Sequence, residues 1–233
     1  MTTFVLVHGA WSGAHAFRKV TPPLLAAGHE VFTPALTGIG ERVHLASPQV
    51  GLNTHIQDLV NHVLYEDLQD IVLLGFSYGG MVITGSLAHI AERVKHLVFL
   101  DAFVPQDGQA VIDMARSRRP ATGLGASAFM PPAARDYEDP AESEFQNPRR
   151  VAQPVATFSQ PVHLAQPLES YPFRRTYIRA TADDHSQDND QQFAKAAAHA
   201  EASSAWSYHE IASNHMLPIN RPTELAALLL TMA

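Results

Sequence analysis

Short apolar runs alternate along the chain with longer stretches in which apolar residues recur every three or four positions. Runs of this length suit strands buried on both faces, and the stretches between them suit helices with one apolar side. The pattern predicts strands at Thr3–Val7, Glu30–Thr33, Ile71–Leu74, Val94–Leu100, Arg175–Ala180 and Ala205–Ile211. Helices are expected over Ala16–Ala27, Thr54–Tyr65, Tyr78–Ala91, Asp190–His199 and Glu224–Met232. Pro222 precedes the last of these, near a helix start, where its missing N–H costs least. Strand and helix alternating in this way imply an α/β fold with an about six-stranded, mainly parallel sheet flanked by helices.

One region breaks the rhythm. Residues 105–172 hold ten prolines and few clean periodic segments. So long an irregular stretch between two core strands is usually functional, and we read it as a cap inserted into a core formed by 1–104 and 173–233. Leu124, Phe129, Met130 and Phe158 argue against a disordered insertion, since such side chains need something to cover.

Composition narrows the function. The chain has 233 residues, of which 46% are hydrophobic and 17% charged, enough apolar material for one sizeable core. A formal net charge of -7 argues against nucleic acid or an anionic membrane as partner. The densest basic cluster, Arg116-Ser117-Arg118-Arg119, reads as a solvated loop. With no cysteine, thiolate catalysis and disulfides are excluded. The chain reaches Phe4-Val5-Leu6-Val7 almost at once and has no run long enough to span a membrane, so a cytoplasmic protein without a secretory leader is expected.

The most specific chemistry lies at Gly75-Phe76-Ser77-Tyr78-Gly79, placed between a strand and a helix. A G-x-S-x-G turn in this setting lifts the serine hydroxyl clear of the sheet edge, and the glycines remove side chains that would clash. A serine hydroxyl is a poor nucleophile unless a base lies within hydrogen-bond reach and a carboxylate orients that base. Those partners belong at the ends of later strands, facing one crevice. His215 follows the last strand and is the expected base, ahead of His8, His15, His44, His55, His185 and His209. His209 lies within a strand, His8 reads as structural, and His15, His44, His55 and His185 as exposed or pocket-edge residues. Asp183 is the expected acid, with Asp184 and Asp101 as alternatives. The order Ser77, Asp183, His215 is that of the α/β-hydrolase arrangement. Backbone N–H groups of Tyr78 and Ala10 are the expected donors to an oxyanion. Trp11, Phe103, Phe129, Phe158, Met216 and Leu217 are candidates for apolar pocket walls, and the Tyr78 side chain either lines the pocket or packs.

These residues carry a resemblance. Phe4 to Trp11, the Gly28-His29-Glu30-Val31 turn, Gly75 to Gly80 and Ser213-Asn214-His215-Met216 resemble the α/β-hydrolase branch of plant methylesterases, hydroxynitrile lyases and bacterial small-molecule esterases. The likeness spans nearly the whole chain apart from the looser 105–172 region. It implies a six-stranded core under a small cap, Asp183 as the acid, Ala10 as an oxyanion donor, no cofactor, and hydrolysis of a small ester. Lyases of that branch carry threonine after the first-strand histidine and lysine after the catalytic one. This chain has Gly9 and Met216 there, and methionine cannot hold a departing anion, so the esterase reading is favoured.

The expected partner is therefore a small-molecule ester, with a homodimer left open. Lactone, carbamate, amide and carbon–carbon substrates remain alternatives on the same triad, and a ligand receptor on the same fold is the non-enzyme alternative. A dinucleotide-binding protein is disfavoured. The loop after the first strand lacks the third glycine, and Thr33-Pro34 stands where a ribose-binding acid would lie.

Overall fold

The computed structural model describes residues 1–114, 127–132, 134–135, 137–182 and 190–233. Along the chain come β1 (Thr3–Val7), α1 (Thr21–Ala26), β2 (Glu30–Phe32), α2 (Leu52–Tyr65), β3 (Ile71–Phe76), α3 (Gly79–Ile90) and β4 (Val94–Leu100). The middle region contributes α4 (Val111–Met114), β5 (Phe129–Met130), α5 (Pro140–Gln146), β6 (Gln153–Pro154) and α6 (Ala156–Ser159). Then follow β7 (Arg174–Ala180), α7 (Asp190–Ala202), β8 (Ser207–Ile211), α8 (Leu217–Asn220) and α9 (Pro222–Leu230). The expected strands all form, with ends shifted by at most two residues. The helix expected over Ala16–Ala27 is instead a 3-10 turn, Ala14–Phe17, followed by α1. Pro22 and Pro23 explain the break, because they fit only the first turn of a helix, where N–H groups have no intrahelical partner.

Among the described residues six strands form one parallel sheet in the order β2-β1-β3-β4-β7-β8. The inner strands β1, β3, β4 and β7 keep a period of two that hydropathy conceals, because both their faces are covered. Val5, Val7, Ile71, Leu73, Leu97, Phe99 and Tyr177 enter one apolar cluster with residues of α2, α3 and α7. Phe4, Leu6, Val72, Leu74, Val98, Leu100 and Ile178 enter the other, with Leu24 of α1 and Leu225 and Leu229 of α9. The chain order reverses direction at β1 and β3, and the crevice beyond the carboxyl ends of such neighbours is where open α/β sheets bind ligands.

Within 105–172, β5 and β6 pair antiparallel, Phe129 with Pro154 and Met130 with Gln153. Buried Glu142 of α5 ties this region to the core through Arg18 and Lys19, the latter at 2.6 Å. The basic cluster Arg116–Arg119 and Leu124 lie outside the described residues. No helix among the described residues is long and apolar enough to cross a membrane.

Candidate active site

Ser77 follows β3 directly and holds φ at +54°, a left-handed conformation that a non-glycine residue adopts only when its surroundings impose it. Its N–H donates to Leu100 O, and its carbonyl accepts from Gly80 N and Phe103 N. The turn is tight enough that a Cβ at Gly75 would stand 2.6 Å from Gly79 O, and one at Gly79 would stand 2.5 Å from Val7 O. Only glycine allows α3 to start so close to β1.

His215 sits in the loop between β8 and α8, with its Nε2 2.9 Å from Ser77 Oγ. Its Nδ1 lies 2.7 Å from Oδ2 of Asp101, the residue immediately after β4. A carboxylate only accepts, so Nδ1 carries the proton, and Nε2 is left free to accept from the serine hydroxyl. The ring is stacked on Phe193 of α7 at 5.2 Å and tilted against Phe76 at 5.0 Å, which limits its rotation. Asp101 is buried, has φ of +41°, and accepts a second hydrogen bond from Ala180 N through Oδ1 at 3.3 Å. Asp183, the acid favoured from sequence, lies outside the described residues, as do Asp184 and His185. The carboxylate seen at His215 Nδ1 is the alternative, Asp101.

Ala10 lies in the turn after β1, half-buried, and Tyr78 caps the N-terminus of α3, so the two backbone donors proposed from sequence belong to adjacent strand ends. Of the pocket candidates, Trp11 and Phe158 meet at 5.3 Å, Phe158 meets the Tyr78 ring at 5.7 Å, and Phe103 packs on Phe193 at 4.9 Å. Phe129 is half-buried in β5. Met216 and Leu217 belong to the cluster on the other sheet face, away from these rings.

Two buried histidines lie beside these loops. His8 donates from Nδ1 to Gly9 O at 2.9 Å and accepts at Nε2 from Leu36 N at 3.3 Å, the structural role expected of it. His55, expected to be an exposed or pocket-edge residue, is fully buried. Its Nε2 donates to Thr37 O at 2.8 Å, so its Nδ1 accepts from the Tyr78 hydroxyl at 2.9 Å. Burial lowers the pKa of each to about 4, which keeps both neutral at ordinary pH. Burial likewise pushes the Tyr78 phenol well above its usual range, so it stays a donor. The only advance sign of His55 was its place on the apolar side of α2. Nothing in the sequence marked Phe193 or Gln153.

The sheet order, the strained serine and the histidine facing it define a hydrolase, and residues 4–228 match the alpha/beta hydrolase family, to which the chain belongs. The chain is 36% identical to the carbendazim hydrolyzing esterase of Nocardioides sp. (strain SG-4G), over 97% of each chain. It is 30% identical to salicylic acid-binding protein 2 of Nicotiana tabacum, over 70% of this chain and 63% of that protein. Among solved structures, an extracellular alpha/beta-hydrolase from a Paenibacillus species is similar with a TM-score of 0.78 at 22% identity, covering 99% of this chain and 98% of that one. At that identity the likeness is one of fold.

Proposed function

We propose that this protein hydrolyses small carboxylic esters, with Ser77 as nucleophile, His215 as general base and acid, and Asp101 as the carboxylate that orients it. The observation that carries the reading is the continuous line from Ser77 Oγ through the imidazole to Asp101, in steps of 2.9 and 2.7 Å. Ser77 Oγ attacks the ester carbonyl while its proton passes to His215 Nε2, and Asp101 stabilises the imidazolium. The carbonyl oxygen, now negative, accepts from the N–H groups of Tyr78 and Ala10. His215 returns the proton to the departing alkoxide, leaving Ser77 acylated. Water then attacks the acyl group, giving its proton to His215, and the carboxylic acid leaves as Ser77 is reprotonated.

Several features support ester hydrolysis over the lyase alternative. Met216 is buried, carries no charge and cannot hold a departing anion, and Gly9 offers no hydroxyl at the position after His8. The relative from Nocardioides is itself named an esterase. We read the 105–172 region as a cap, and Trp11, Phe103 and Phe158 supply aromatic surface beside Tyr78 and Ser77.

The test is direct. Ser77→Ala should lower kcat on small aryl esters by about 10⁶-fold, and a fluorophosphonate should label the wild type but not the variant. A variant that keeps wild-type rates would sink the mechanism. A panel of short and long acyl esters, methyl esters, lactones, carbendazim and cyanohydrins then sets the substrate class, and turnover of cyanohydrins alone would overturn the ester reading.

A further inference from the structure

Trp11 immediately follows Ala10, the proposed second oxyanion donor, and its φ of +58° places it in the left-handed region without being glycine. Such a conformation is unfavourable for a residue with a side chain and persists only where neighbours impose it. Here the neighbours come from one place. The Trp11 N–H donates to Gln153 Oε1 at 2.8 Å, its carbonyl accepts from Val151 N at 3.2 Å, and its indole N–H donates to Met130 O at 2.9 Å. All three partners belong to the 105–172 region, more than a hundred residues away in sequence.

Gln153 is the side chain in this set, and it is fully buried. Because a backbone N–H can only donate, the amide oxygen must face Trp11, and Nε2 is left to donate to Thr157 Oγ1 at 2.8 Å. Thr157 donates in turn to Pro154 O at 2.7 Å, and the ring of the next residue, Phe158, packs on that of Tyr78 at 5.7 Å. Tyr78 bears the other proposed oxyanion donor. The buried polar string therefore reaches Trp11 directly, and Tyr78 through the aromatic ring that adjoins Thr157. A network of this kind is costly to bury unless each member is satisfied, and satisfied it holds its members rigidly.

We propose that Gln153 is a positioning residue for the oxyanion hole. By fixing the Ala10–Trp11 peptide plane, it holds the neighbouring Gly9–Ala10 plane so that the Ala10 N–H points at the developing oxyanion. Without that acceptor, Trp11 relaxes from its left-handed conformation and turns Ala10 with it. The inference rests on the esterase reading of the site, and it adds a dependence of the catalytic machinery on the cap.

Gln153→Met keeps side-chain length and removes the acceptor. On an aryl ester it should lower kcat about 10- to 100-fold, the scale of an ångström-sized misplacement, while KM stays within about twofold. The affinity for a trifluoromethyl ketone, which forms a tetrahedral oxyanion adduct, should fall with kcat/KM, while that for an unreactive ketone should not. Gln153→Glu restores an oxygen to the Trp11 N–H and should regain part of the rate. Thr157→Val, a smaller change at the next link, should give a loss in the same direction and covers the case in which Gln153→Met does not fold. Fluorophosphonate labelling of Ser77 separates the two ideas: wild-type labelling abolished by Ser77→Ala leaves the nucleophile standing whatever Gln153 does. Unchanged kcat and unchanged ketone affinity in folded Gln153→Met, or in Thr157→Val where the former is insoluble, would overturn the proposal.

Discussion

Ser77 and Trp11 stand at the ends of neighbouring strands, and both are held in the left-handed region, yet by different means. At Ser77 the restraint is backbone packed on backbone: its N–H and carbonyl are bonded to Leu100, Gly80 and Phe103, and glycines let α3 press against β1. At Trp11 the restraint is borrowed from β5, β6 and the residues around them, through one side-chain amide and two main-chain groups. Strain held by the sheet itself is set once the core forms. Strain held by a distant segment depends on that segment docking, which makes one half of the site intrinsic and the other half conditional.

The intrinsic half should show the largest single effect. Asp101 is a third left-handed residue, pinned by its own N–H to Ile178 O at 2.7 Å and by Ala180 N at its carboxylate. Asp101→Asn should leave the fold intact and lower kcat by about 10⁴-fold, because an amide facing Nδ1 favours the wrong imidazole tautomer. Asp183→Asn should cost less than about tenfold. The reverse ranking in side-by-side kinetics would move the orienting role to Asp183.

How far the site could be read in advance follows the same division. Ser77 and His215 were legible because G-x-S-x-G and a histidine after the last strand are local signals of a geometry that backbone sterics impose. The core strands were legible too, since burial on both faces leaves uninterrupted apolar runs. The acid was ambiguous because β4 and β7 are adjacent, so a carboxylate at either strand end can approach one imidazole. Gln153 was not legible at all, and His55 only as a position on the apolar side of α2. Their roles rest on contacts across 142 and 23 positions of sequence, and no local pattern encodes such pairings.

The elbow can be broken by one methyl group. Gly79→Ala would put a Cβ against the carbonyl oxygen of Val7, a backbone atom that cannot swing aside. Separating α3 from β1 should cost about 3 kcal/mol in urea-melt stability and impair turnover together with it. A comparable change on the other side, Gln153→Met, leaves a buried N–H unpaired and should reduce turnover while lowering the urea midpoint less than Gly79→Ala does. Equal stability losses in the two variants would erase the distinction between intrinsic and conditional strain.

The smallest effect concerns acid. His8 and His55 brace the loops beside Trp11 and Tyr78, and each has a native pKa lowered by burial to about 4, against 6.5 when unfolded. His96, partnered by Thr176 at 2.8 Å, is lowered to about 4 by burial as well. Between those two values the unfolded chain binds more protons than the native one, so stability falls as pH drops from about 6.5 towards 4 and levels off below. Each such histidine should remove roughly 2 kcal/mol by pH 5. Urea midpoints measured at pH 7 and pH 5 should therefore separate clearly in the wild type. In His55→Gln, whose amide can still donate to Thr37 O, the separation should shrink by one histidine's share. Because His8 donates to Gly9 O in the loop that carries Trp11, while the main-chain bonds that hold Ser77 do not titrate, acid should loosen Trp11 before Ser77. Trp11 fluorescence read in a Trp206→Phe background should then change at a higher pH than the global unfolding transition, and coincidence of the two would mean that the halves of the site share one stability.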